Sequence, residues 1–171
     1  MEYSYLKSNA LFCKMKVILI QLGKTADTYI QEGVSQYVNR LKHYITFEEK
    51  IIPAFKSSAS MSKDEIKKQE GILILKNVQV TDELVLLDEK GKEYTSLDFS
   101  VFIQQKMNAG TKNLVFVVGG AFGFSEEVYA RANTKVSLSR LTFSHQMVRL
   151  FFAEQLYRAM TIIKGEKYHH Q

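Results

Sequence analysis

The five residues Gly119-Gly120-Ala121-Phe122-Gly123 follow an apolar run, Leu114 to Val118. Glycine at such a point allows positive φ and lets a ligand approach the backbone closely. The loop is therefore a candidate for holding a small molecule on main-chain groups, although taken alone it reads as a tight turn before a helix. Its spacing is not G-x-G-x-x-G and it follows the fourth strand, which disfavours a dinucleotide site; Phe124-Ser125 after the glycines lack the lysine of a phosphate-binding P-loop. Further on, an apolar segment carries Arg149, Glu154 and Arg158, and Tyr168-His169-His170 stand near the end of the chain. Glu154 and Arg158 have the i,i+4 order of a helical ion pair. Arg149 has no such partner and is expected to meet a ligand or RNA. The histidines join no acidic cluster and no H-E-x-x-H pattern, so no metal site is expected. Cys13 is the only cysteine, which leaves neither an intrachain disulfide nor a cysteine cluster for zinc. Ser125, Ser139 and Ser144 lack the strand–turn–helix pattern of a hydrolase nucleophile.

Charge sets these residues in context. The net charge is +5, and residues 131–171 carry seven Lys/Arg against Glu154 and Glu166, whereas residues 1–130 balance to zero. Scattered solubilising charge and an electrostatic footprint for nucleic acid both fit this distribution. No apolar run approaches the length of a bilayer crossing, and the N-terminus lacks the pattern of a secretory signal. A cytoplasmic protein that does not enter a membrane is expected.

Elements must place the candidate residues. Met15 to Leu22 reads as a buried strand ending at Gly23. Asp27 to His43 has helical spacing, with Ile30, Val34, Tyr37, Val38 and Leu41 on one face. Phe47 to Ile52 reads as a second strand ending before Pro53. Ser62-Lys-Asp-Glu65 is a capping box that opens a helix to about Lys76. Glu83 to Asp88 is a short buried strand with a turn over Glu89 to Lys92. Leu97 to Ala109 is a helix capped by Gly110, and Asn113 to Val118 a strand buried on both faces. A short helix follows Ser125, then a strand over Lys135 to Ser139. A helix from about His145 to Ile163 ends near Gly165 and is apolar almost all round, so it needs cover from other elements or from a second subunit. The alternation implies an α/β fold, a mainly parallel sheet with helices on both faces, with ligands at the carboxyl ends of its strands. Residues 15–171 form a single domain, and 1–14 a dispensable extension.

From Met15 onward the chain resembles the RlmH family (the YbeA-like group) of SPOUT-class RNA methyltransferases. The carriers are Met15-Lys16 with Gly23-Lys24, Leu87-Asp88 with Gly91-Lys92, and Val117-Val118-Gly119-Gly120 with Gly123. Leu138-Ser-Arg-Leu-Thr-Phe-Ser-His145, Arg149, Glu154-Gln-Leu-Tyr-Arg-Ala159 and Tyr168-His169 complete the set. Ser144 departs from it, standing where many members have proline, which implies a slightly looser loop.

The resemblance implies a C-terminal trefoil knot, an exception to the usual rule of unknotted chains, and a homodimer. It also implies S-adenosylmethionine as methyl donor, without metal. The donor site carries over to Leu87, Gly119, Gly120, Leu138, Ser139, Arg140, Leu141, Thr142 and Phe143. The implied target is N3 of a pseudouridine in the helix 69 loop of large-subunit rRNA, in the assembled ribosome. The implied catalytic residues are Tyr168, to stack on or orient the base, His169, to accept its proton, and Arg149, to hold phosphate or developing charge. Two rival readings are a non-enzymatic ribosome-binding protein and a knotted methyltransferase acting on another RNA such as tRNA. Enzymes of the second kind usually carry an added RNA-binding domain, for which this chain has no room.

Overall fold

A computed structural model describes residues 15–168. The expected extension over 1–14 and His169 lie outside the described residues. The element order is β1 (Lys16–Leu22), α1 (Thr28–Leu41), β2 (Thr46–Ile52), α2 (Lys63–Leu75), β3 (Glu83–Glu93), α3 (Ser96–Asn108), β4 (Asn113–Val118), α4 (Glu126–Arg131), β5 (Thr134–Ser137) and α5 (His145–Ile163). The five strands form one sheet in the order β2-β1-β4-β3-β5, and every pairing is parallel.

Residues of period two feed two cores, one on each face of the sheet. Val17, Leu19, Val85, Leu114 and Phe116 pack with Phe99, Ile103, Phe152 and Leu156 of α3 and α5. Ile20, Leu84, Leu86, Val115 and Val117 pack on the other face with Ile74 of α2 and Val128 of α4. A side chain as fully buried as Phe116 contributes about 1.5–3 kcal/mol relative to exposure. The helix ends follow from local chemistry. Ser62 and Glu65 form the expected reciprocal capping box, and Gly110 and Gly165 take positive φ just beyond α3 and α5. Ser144, read as a loosening departure, instead caps α5: its side chain accepts from the Met147 amide.

One strand differs from expectation. β3 is longer than the short strand ending at Asp88, and its pairing with β5 is irregular: Leu87 and Lys92 both face Val136. The chain between them loops out of the ladder. Gly91 permits this, since a Cβ there would lie 2.5 Å from the Val136 carbonyl carbon and 2.6 Å from its amide nitrogen. The α5 helix, expected to need cover from other elements or a second subunit, is covered in part. One face is buried, through Phe152, Ala153, Leu156, Ala159 and Met160, but Met147, Leu150, Phe151 and Ile162 stay half-exposed. The protomer covers only part of this apolar helix.

β1 opens at Lys16 and Met15 is already buried in the core. Deleting residues 1–14 is accordingly expected to leave the melting temperature nearly unchanged. A fall of several degrees in a thermal melt would show that the extension packs on the core.

Candidate active site

Three adjacent strands, β4, β3 and β5, deliver their carboxyl ends to one cleft of about 570 Å³. That size suits a small organic ligand. From β3 come Leu87 and the looped-out Asp88, Glu89 and Lys90. From β4 come Val118 and the glycine loop through Phe124. From β5 come Ser137 to Ser139, then Leu141 to His145, with Val148 from the first turn of α5. The segment after β5 is shaped by its own serines. The Ser137 hydroxyl donates to the Ser139 carbonyl at 2.9 Å, and the Ser139 side chain accepts from the Leu141 amide at 2.9 Å. Phe122 and Leu141 are exposed although apolar, so a ligand entering the cleft has apolar surface to cover.

The glycine loop is a turn as well as a wall. The Gly123 amide donates to the Gly120 carbonyl at 3.2 Å, and the positive φ falls on Gly123, at 81°. The expectation that Gly119 and Gly120 supply positive φ is corrected, because neither has it. What they supply is space. A Cβ on Gly119 would meet the Phe124 ring at 3.1 Å, and one on Gly120 would lie 2.3 Å from Glu70 Oε2.

Eight of the nine expected donor-site residues line this cleft: Leu87, Gly119, Gly120, Leu138, Ser139, Leu141, Thr142 and Phe143. Arg140 does not. It points away and pairs with Glu93, its Nε lying 3.0 and 3.1 Å from the two carboxylate oxygens. This exposed pair contributes little to stability. Residues the sequence reading did not single out for the site include Tyr129, whose hydroxyl donates to Asp88 at 2.5 Å. Burial and that bond push its pKa up, so it stays a phenol. His145 also lines the cleft, and desolvation, then the Arg149 charge, lower its pKa. Its place just before an apolar helix was the available signal.

Arg149 is corrected as well. It is 1% exposed and does not line the cleft. It donates to Thr25 Oγ1 at 2.7 Å and to the Leu22 carbonyl at 2.9 Å, tying α5 to the end of β1. Beside it, Gln146 Oε1 accepts from the Ala26 amide at 2.7 Å. In this protomer Arg149 braces α5 through its two Nη atoms, which meet neutral oxygens, while its buried Nε has no hydrogen-bond partner. Arg149→Met should cost about 2–4 kcal/mol of stability, read by denaturant unfolding, because two bonds and a buried carbonyl lose their partner. Lost activity at unchanged stability would restore a ligand-facing role.

Tyr168 lies elsewhere. Its ring packs on Tyr157 at 4.8 Å between centroids, with the Arg158 guanidinium 4.9 Å away. Burial, then a bond with Tyr37, push its pKa up to about 12. Val148 and Arg158 are ten residues apart on α5, which is about 15 Å along the axis. The cleft and Tyr168 therefore lie well apart along one helix. The expected ion pair beside the tail is present, with Arg158 Nη2 2.6 Å from Glu154 Oε1.

Residues 15–169 match the family described as "Predicted SPOUT methyltransferase". The chain belongs to the SPOUT methyltransferase family. SPOUT relatives named "Ribosomal RNA large subunit methyltransferase H" include one from Parabacteroides distasonis, 55% identical over 92% of this chain and 100% of its own length. Others come from Cytophaga hutchinsonii, 56% identical over 91% of this chain and all of its own, and Christiangramia forsetii, 54% identical over 92% and 100%. For a SPOUT protein, a cleft built from glycines and backbone turns fits the chemistry of the family name. Methyl transfer from an activated donor asks chiefly for alignment of the reacting atoms. Among the described residues no helix is long and apolar enough to cross a membrane.

Proposed function

We propose that this protein transfers a methyl group from S-adenosylmethionine to N3 of a pseudouridine in the helix 69 loop of large-subunit rRNA, in the assembled ribosome. The observation that carries the reading is the convergence of Leu87, Gly119, Gly120 and most of 138–143 on one cleft. The names of the relatives supply the substrate class.

When bound, the donor supplies an already activated methyl group. Main-chain groups of the glycine loop and of 138–143 hold and orient it, and Leu87, Leu138, Phe143 and Val148 provide apolar walls that exclude water. Lys164 and Lys167, near the C-terminal end of α5, meet phosphate. Tyr168 orients the base, and its raised pKa leaves it unable to act as the proton acceptor at neutral pH. His169 takes the N3 proton, since an ordinary imidazole is largely neutral at that pH.

The protein works as a homodimer on this reading. The half-exposed apolar residues of α5 need cover, and the position of Tyr168, well along α5 from its own cleft, supports a tail that serves the partner's. The trefoil knot of the family, with α5 threaded through it, belongs to the same proposal. The test is methyl transfer by purified protein to ribosomes containing unmethylated helix 69, compared with naked rRNA. Incorporation into ribosomes alone is expected. Transfer to tRNA, or donor binding without transfer to any RNA, would overturn the reading.

A further inference from the structure

Glu70, on α2, presses its carboxylate against the back of the glycine loop. A Cβ on Gly120 would lie 2.3 Å from Oε2 and 2.7 Å from Oε1. Oε2 is buried without a hydrogen-bond partner, and burial raises the pKa of the group. The neighbouring contact is similar: a Cβ on Gly71 would lie 2.4 Å from Ser125 Oγ, another buried atom without a partner. Two orphaned polar atoms thus sit behind one wall of the cleft. A buried carboxylate oxygen left unpaired costs stability, and a glutamine or leucine would fill much the same volume without the charge. Groups held in this way are concentrated where function uses them.

Of the two acids lining the cleft, Asp88 is engaged, taking the Tyr129 hydroxyl on Oδ2 and the Lys90 amide on Oδ1. Glu89 is exposed, where water and salt screen its charge. Glu70, half-buried, is the carboxylate that would face a cation from the other side of Gly120. On the methyl-donor reading, on which this inference rests, such a cation arrives with each turnover. The donor is a sulfonium, and the product left after transfer is a neutral thioether.

We propose that Glu70 is the counter-charge of the methyl donor and sets the preference for sulfonium donor over thioether product. It acts through the thin wall at Gly120, whose side-chain space the carboxylate occupies. Glu70 is a specificity-determining residue, not a catalytic one, because it touches the loop and not the reacting atoms. A unit charge several ångströms from the sulfonium, in surroundings of intermediate dielectric, shifts this preference by about tenfold. The same charge lets the product leave more readily than the donor.

Calorimetry on wild type and Glu70→Gln with three ligands tests the assignment: S-adenosylmethionine, S-adenosylhomocysteine, and sinefungin, which carries an amine in place of the sulfonium methyl. The variant should lose about tenfold in affinity for both cationic ligands and keep its affinity for the thioether. Glu70→Asp should retain part of the preference. Without donor, Glu70→Gln should melt no lower than wild type, since the change removes an unpaired buried charge. Equal weakening of all three ligands, accompanied by a lower melting temperature, would make Glu70 a brace for the loop and overturn the proposal. An unchanged donor-to-product ratio in a wild type that binds both would overturn it alone. A wild type that binds neither would overturn the donor reading and this inference together.

Discussion

Deletion of Tyr168 to Gln171 is expected to lower methyl transfer by at least about a hundredfold, the scale of a lost general base, while donor affinity stays unchanged. The cleft draws on β3, β4, β5 and the first turn of α5, and includes no residue beyond Val148. Tyr168 packs on Tyr157 and Arg158, well along the same helix. On the proposed function the donor pocket is independent of the tail and the target base needs it, which separates the two readouts. His169→Ala should reproduce most of the loss. Because Tyr168 packs well along α5 from its own cleft, activity should return when tail-less protomers are mixed with protomers whose donor site is blocked. Mixed dimers then hold one intact cleft opposite one intact tail. Full activity in the truncated protein would remove the tail from the mechanism. Failure of the mixture, with mixed dimers shown to form, would place both parts of the site in one subunit.

Gly120→Val should abolish measurable donor binding while the sheet still folds. The reason differs from the one the loop's sequence suggests. Gly120 has no positive φ, so backbone strain is not the cause. The new Cβ would sit 2.3 Å from Glu70 Oε2, and the γ-methyls would need further room. Either Glu70 swings out of its buried position or the loop moves into the cleft. Overpacking of this kind costs about 1–3 kcal/mol of stability, and the displaced wall takes the ligand-holding amides with it. Gly119→Val meets the Phe124 ring at 3.1 Å and should act more mildly, because a ring can shift. Calorimetry showing wild-type donor affinity in Gly120→Val would reduce the loop to a turn with no part in binding.

Features carried by short-range chemistry were legible in the chain. The Ser62–Glu65 box, the glycines after α3 and α5 and the Glu154–Arg158 pair each rest on residues within a turn of one another. β1, β4 and the first half of β3 were legible because buried parallel strands are continuous apolar runs. Features set by distant partners were not. Gly91 reads as a turn residue until the backbone of β5 is seen beside it. Arg149 lacks an acid in its own helix, and nothing local reveals that Leu22 and Thr25, more than 120 positions upstream, supply its acceptors. Glu70 looks like one more solvated helix carboxylate until the fold lays Gly120 over it. The proposed donor segment 138–143 rests on family resemblance, and no local pattern points to it. Arg140 lies within it, but its side chain turns out toward Glu93, which only the fold reveals.

Methylation of one pseudouridine of the large-subunit rRNA, as proposed, is read by mass spectrometry of the helix 69 fragment from ribosomes of a strain lacking the gene. The fragment should be lighter by one methyl group on a single pseudouridine, and the purified protein with S-adenosylmethionine should restore that mass on the isolated ribosomes. A helix 69 fragment of unchanged mass in the deletion strain would contradict the account.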